Sequence, residues 1–208
     1  MRNRIFSLIP AIFIDIISRF AGWLYALIKP TAGFGAERRI RGIYWGMRLG
    51  SSGLHIGRNV QIETPSKIKV GTNSKLYCSG HYVSGRNGYI HIGSDTHIGR
   101  HSLISGSGGV TIGDRTAISS HFIIFSSSND PYAKDLHKAP RITDAVKIGS
   151  DVFIGASVTI LPGVTIGDGA VIGAGSMVKN NISANMIAAG SPAKILGKKD
   201  GYIIKPYS

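Results

Sequence analysis

The stretch VKIGSDVFIGASVTILPGVTIGDGAVIGAGSMV, residues 146–178, repeats every six residues. Ile148, Ile154, Ile160, Ile166, Ile172 and Val178 recur at that interval, and Gly149, Gly155, Gly167 and Gly173 directly follow four of them. A second small or aliphatic residue comes four positions after each anchor: Val152, Val158, Val164, Ala170 and Ser176. A period of six matches neither the 3.6-residue turn of a helix nor the alternation of an isolated strand. It matches short strands joined by tight turns, with each anchor facing inward and three sixes closing one coil. Such coils bury apolar surface only against their neighbours, so the pattern predicts a stacked solenoid.

At 208 residues a single domain is expected, and its 28 glycines fall periodically, as turn chemistry rather than disorder. One cysteine, Cys78, excludes an internal disulfide framework and a cysteine metal cluster, suits a reducing compartment and reads as a small buried residue. Lys and Arg number 24 against 11 Asp and Glu, a net charge of +13 that attracts anionic partners. Nucleic acid is not the expected one: no binding module is recognisable and the aromatic residues are not interleaved with the basic ones. The histidines show no zinc spacing, so no metal is expected.

Three segments divide the chain: residues 1–53, 54–196 and 197–208. The first opens on IFSLIPAIFIDIISRFAGWLYALIK, long enough to span a bilayer at about 20 apolar residues. Asp15 and Arg19 interrupt it, each costing roughly 2.5–3.5 kcal/mol at a bilayer centre. On a helix these two join Ser7, Ala11, Ser18, Gly22 and Ala26 on one narrow polar stripe. Residues 1–29 therefore read as an amphipathic arm that lies on a membrane or packs on another subunit. The apolar run is too long for a cleaved signal peptide, and no clear cleavage site follows it. Arg38, Arg39, Arg41 and Arg48 form a basic collar suited to anionic headgroups. These features place the protein in the cytoplasm at the inner face of the membrane.

The repeat begins at Ile56 and resumes at Ile92 and Ile112, and the 36 residues from Ile112 to Ile148 equal two coils of 18. The second of these is not a regular coil. Residues 126–145, SSSNDPYAKDLHKAPRITDA, lose the anchor register, carry Pro131 and Pro140, and are expected to leave the solenoid as an exposed loop. An open solenoid end exposes strand edges, so the segment after Asn180 is expected to begin as a cap.

VFIGASVTILPGVTIGDGAVIGAGSMV followed by AAGSPAKIL resembles the hexapeptide-repeat acyltransferases, in particular the closing motif of their sugar O-acetyltransferase branch. The resemblance runs over residues 54–196. It implies an all-β fold, a left-handed parallel β-helix of triangular section, assembled as a homotrimer. It also implies an acetyl-CoA-dependent O-acetyltransferase acting on a sugar, a surface-polysaccharide precursor or a lipid-linked glycan. The family's coenzyme A positions map onto Phe153, Ala156, Ala174, Lys179 and Lys194, with Phe153 where tryptophan is common. Lys198 and Lys199 add further charge for nucleotide phosphates.

In that family the loop carries a catalytic histidine some 15 to 17 residues before the next coil. Here Asn129 and Asp130 occupy the place, and neither is histidine. The transfer needs a group that takes a proton from the acceptor hydroxyl as it attacks the thioester. His137, further along the loop, and His121, at a coil corner before it, are the candidate bases. Asp130 is a third, although an ordinary carboxylate is a weaker base than imidazole. His55, His81, His91, His97 and His101 stand beside repeat anchors as turn or face residues. Two functions therefore remain open: an O-acetyltransferase, or a weakened family member acting as a binding or scaffold protein. A transferase for amino sugars or amino acids is a third class.

Overall fold

A computed structural model describes residue 20 and residues 34–199 as a parallel β-solenoid with three flat faces and one helix at its start. The first face stacks β1 (His55–Ile56), β4 (Lys75–Leu76), β7 (His97–Ile98), β10 (Ala117–Ile118), β15 (Phe153–Ile154), β18 (Val171–Ile172) and β20 (Met186–Gly190). The second stacks β2 (Gln61–Glu63), β5 (His81–Val83), β8 (Leu103–Ser105), β11 (Ile123–Phe125), β16 (Thr159–Ile160) and β19 (Met177–Val178). The third stacks β3 (Ile68–Val70), β6 (Ile90–Ile92), β9 (Val110–Ile112), β14 (Val146–Ile148) and β17 (Thr165–Ile166). We call the turn between first and second faces the first corner, between second and third the second corner, and from third back to first the third corner.

The predicted anchors do what their period requires. Ile148, Ile154, Ile160, Ile166, Ile172 and Val178 are buried, and so are Val152, Val158, Val164, Ala170 and Ser176 one step away. The first-face anchors stack in register from Ile56 through Leu76, Ile98, Ile118 and Ile154 to Ile172. Each such side chain contributes about 1.5–3 kcal/mol relative to an exposed one, and none can do so without the coil above or below it. Cys78 is half-buried at the first corner rather than sealed inside.

The interval from Ile112 to Ile148 is not two coils. Ile112 pairs directly with Ile148 across β9 and β14, so these 36 residues are one coil plus an excursion. The excursion is a hairpin in which β12 (Ser127–Asn129) pairs antiparallel with β13 (Arg141–Thr143). Its tip ends in a 3-10 turn, Leu136–Lys138, with Asp135 accepting the His137 amide at 3.0 Å.

Helix α1 (Phe34–Leu49) lies against the first coil. Gly42 and Gly46 allow the approach: a Cβ on either would sit 2.5 Å from the Leu54 carbonyl oxygen or 2.7 Å from that of Ser51. Trp45 and Leu49 pack on the core. Arg41 does not join a lipid-facing collar; it is buried, and its Nε donates to the Ile56 carbonyl at 2.6 Å. Arg48 donates to the Tyr44 hydroxyl at 3.0 Å, and Arg39 is exposed. Residues 1–29, read above as an amphipathic arm, lie outside the described residues except for residue 20. Among the described residues no helix is long and apolar enough to cross a membrane.

At the other end β20 turns back into β21 (Ala193–Lys198), which pairs antiparallel along the last first-face strand. This hairpin covers the edge of β20 on the first face, while the second and third faces end on β19 and β17.

Candidate functional site

The excursion leaves from the second corner, and its root is tied down there. Ser126 is fully buried; its hydroxyl donates to the Ser105 carbonyl at 2.8 Å and accepts the Gly108 amide at 2.9 Å. The Asp144 amide donates to the Ser126 carbonyl at 2.9 Å, which closes the far strand of the hairpin onto the same point. The hairpin therefore projects from a fixed base while its tip is exposed: Tyr132, Leu136 and His137 all face solvent.

Asn129 and Asp130 stand where the hairpin opens into its tip. Asn129 is directly opposite Arg141, so their side chains share a face of the hairpin. Asp130 accepts the Tyr132 amide at 2.9 Å, a local turn bond that occupies one carboxylate oxygen. His137 is on the same hairpin. His121 is not: it occupies the first corner, separated from the hairpin root by β11, with a left-handed backbone at φ 60°. Its ring stacks on that of His101 in the coil below, with centroids 5.1 Å apart and planes 19° apart.

The positions expected from the sequence to meet coenzyme A divide in the same way. Ala156 and Ala174 are exposed at the first corner in successive coils, linked by a bond from the Gly175 amide to the Ala156 carbonyl at 2.8 Å. Phe153 is half exposed on the adjoining first face, and Lys194 is on β21 of the same sheet, opposite Ala189 and three strands from Phe153. Lys179 is instead at the second corner, just past β19. His121 thus adjoins Ala156, whose neighbour Ser157 bonds back to the Ser120 carbonyl at 3.0 Å, whereas Lys179 shares the hairpin's corner two coils further on.

Beside the hairpin the structure opens a cleft of 590 Å³ that the sequence did not reveal. It is lined by Arg86, Asn87, Ser105, Ser107, Arg141 and Thr143, with Val83 and Gly85 behind them. The second corner is wider here, because six residues separate β5 from β6 where four separate β8 from β9. The signal was the stretched anchor spacing around SGRNGY, residues 84–89. A second cleft, of 480 Å³, runs between α1 and the first coil and is mainly apolar, with Ile43, Met47 and Leu54 in its wall.

Elsewhere the charges and hydroxyls are of another kind. Arg115 and Asp151 form a two-pronged pair at 2.8 and 2.6 Å on the third corner. Hydrogen bonding from Arg115 holds the Asp151 carboxyl below its ordinary range. Burial, and then the charge of Lys69, press the His91 imidazole below its usual range. Tyr82 faces into the solenoid, and burial raises its phenol well above the normal value. Among the described residues no group of three His, Cys, Asp or Glu side chains is placed to hold a metal ion.

Residues 145–180 match the family profile described as bacterial transferase hexapeptide (six repeats). No curated protein matches the chain. Among solved structures, a variant of AntD, an N-acyltransferase from Bacillus cereus in complex with dTDP and coenzyme A, is 27% identical with a TM-score of 0.66, over 72% of this chain and 82% of that one. AntD with dTDP and 3-hydroxybutyryl-CoA is 26% identical with a TM-score of 0.62, over 72% and 81%. A maltose O-acetyltransferase from Clostridium difficile shares the fold over 89% of this chain and 87% of its own, at 24% identity and a TM-score of 0.58.

Proposed function

We propose that this hexapeptide-repeat protein is an acetyl-CoA-dependent O-acetyltransferase for a sugar within a surface-polysaccharide precursor, of lipopolysaccharide, capsule or exopolysaccharide type. One observation carries the reading: a regular solenoid is opened by a single rooted hairpin, and that hairpin bears Asn129, Asp130 and His137 beside a polar cleft. The similarity to AntD, whose structures hold coenzyme A or an acyl-CoA, supports the donor.

In this reading His137 takes the proton of the acceptor hydroxyl as its oxygen attacks the thioester carbonyl; the C–S bond then breaks and the imidazolium returns that proton to the departing sulfur, releasing coenzyme A as the thiol. His121 is the second candidate base, Asp130 the third, and Asn129 orients the acceptor or the imidazole by hydrogen bonding. The proposed donor residues are divided within one chain, Ala156 and Ala174 at the first corner with Phe153 on the face beside them, and Lys179 at the second corner. A homotrimer in which one subunit's first corner faces a neighbour's second corner would gather them, with Lys194, around one coenzyme A. The arm of residues 1–29 would hold this assembly at the cytoplasmic face of the membrane, near a lipid-linked acceptor.

A second reading has a specific observation in its favour: with Asn129 and Asp130 in the histidine's place, the chain is a weakened transferase that serves as a binding scaffold. Thiol release from acetyl-CoA, measured with candidate glycans for the wild type, His137→Ala, His121→Ala and Asn129→His, separates the two. Turnover that falls in His137→Ala supports the enzyme. No turnover in the wild type, with turnover appearing in Asn129→His, supports the scaffold. An amino-sugar acceptor in the same assay tests N-acylation, the activity of AntD.

A further inference from the structure

We infer that the second-corner cleft binds the diphosphate of an activated acceptor, the group by which a sugar is carried on a nucleoside or on a prenyl lipid. This rests on the transferase reading of the neighbouring hairpin and names the acceptor class for it. Two guanidinium groups, Arg86 and Arg141, line a space of 590 Å³ together with the neutral donors Asn87, Ser105, Ser107 and Thr143. Lys67 does not line this space, but its Nζ donates to the Arg86 carbonyl and ties down that segment.

Convergence on one concave surface is what sets the cleft's two arginines apart, together with the absence of a carboxylate beside them. Among the described residues Lys67, Arg86 and Arg141 meet no carboxylate, whereas Arg115 is held in two-pronged fashion by Asp151. A cation on a solvated face needs no partner, but two that line one concave surface repel one another, and an anion relieves that repulsion. Arg141 is also aimed. Its Nε donates to the Ser127 hydroxyl at 2.9 Å, which fixes the guanidinium plane and leaves its terminal nitrogens for a ligand. Because Asn129 is opposite Arg141, a diphosphate held there would bring the attached sugar alongside the residues of the hairpin that act on it. A neutral free sugar would find hydrogen-bond donors in the cleft but nothing to use its charge.

Calorimetric titration of the full chain with uridine diphosphate, farnesyl diphosphate and maltose tests this, for the wild type, Arg86→Gln, Arg141→Gln and the control Arg115→Gln. One of the two diphosphates should bind the wild type, and which binds more tightly identifies the carrier. Arg86→Gln and Arg141→Gln should each weaken it about tenfold, the worth of one charge-assisted hydrogen bond, while Arg115→Gln changes nothing. Diphosphate affinity unchanged in both cleft variants overturns the inference. So does coenzyme A competing with uridine diphosphate, since the cleft would then belong to the donor. Thiol release with a neutral sugar that ignores Arg141→Gln would refute the diphosphate acceptor and leave the transferase standing. Arginine-dependent diphosphate binding without thiol release for any acceptor would support the cleft and refute the transferase.

Discussion

The second and third corners are built from the same repeat, yet they use their polar residues in opposite ways. At the third corner every coil is laced to the next. The Ser94 amide donates to Asp114 at 2.7 Å, the Asp114 amide to Ser150 at 3.1 Å, and the Ser150 amide to Asp168 at 2.7 Å. Behind them buried hydroxyls repeat the pattern: Thr96 donates to the Gly113 carbonyl at 2.8 Å and Thr116 to that of Gly149 at 3.0 Å. The one arginine there is matched by Asp151. At the second corner the turns vary in length, a hairpin is inserted, and the two arginines of the cleft beside it, Arg86 and Arg141, meet no carboxylate among the described residues. Satisfied polar groups make a structural seam, whereas unsatisfied charge collected around a cleft is left for a ligand.

The sharpest way to test the contrast is to remove chemistry from one corner without touching stability. His137 is exposed at a hairpin tip and contributes nothing to the core. His137→Ala should lower the turnover number by about 10²–10⁴-fold, the usual cost of losing a general base, with the thermal midpoint unchanged. A variant with full turnover would clear His137 of that role. His121→Ala should cost less than His137→Ala, since His121 is at a different corner, stacked on His101.

The converse change belongs at the third corner. A Cβ on Gly113 would lie 2.6 Å from the backbone carbon of Gly149 and 2.6 Å from the amide nitrogen of Ser150, neither of which can rotate away. Gly113→Ala should therefore destabilise the fold by about 3 kcal/mol, the upper end of what overpacking costs. The denaturant midpoint should drop while acetyl transfer per folded molecule is retained. Thr116→Val, which keeps the shape and deletes the bond to Gly149, should cost about 1 kcal/mol in the same unfolding experiment. If either substitution altered acceptor selectivity instead, the division of labour between corners would be wrong.

The solenoid was legible because its signal is contiguous. Each anchor from Ile148 to Val178 announces itself by interval alone, and burial follows from the interval. The hairpin was legible as a loss of register at residues 126–145, though not its pairing of Ser127–Asn129 with Arg141–Thr143, which has no period. Distance along the chain misled in one place. His121 is five residues from the hairpin in sequence, but those residues cross a whole face of the solenoid, so it belongs to another corner. The cleft was hidden for the opposite reason. Arg86 and Arg141 are remote in sequence and line one cleft because β5 carries the first, and β11 with its hairpin the second, to the same edge. Interval statistics find residues that point inward together; they do not find two solvent-facing arginines on different coils.

The smallest expected effect concerns the arginine that is already paired. Asp151 has its carboxyl pulled down mainly by hydrogen bonding from Arg115, and both side chains are about half exposed, at 51% and 59%. A carboxyl depressed on folding adds stability that is fully present above its unfolded value, near 3.8, and is lost as pH falls through the lower folded value. Asp151→Asn keeps the left-handed backbone, at φ 57°, in a residue that tolerates it, so the variant isolates the charge. Urea midpoints for wild type and Asp151→Asn should differ slightly at pH 7 and converge below about pH 3.8. The neutral-pH difference should also shrink in high salt, because exposed pairs are screened. A difference that stays constant from pH 7 to pH 3 would mean that the carboxylate acts through shape rather than charge. The pairing of Arg115 would then no longer serve as the reference against which Arg86 and Arg141 stand out.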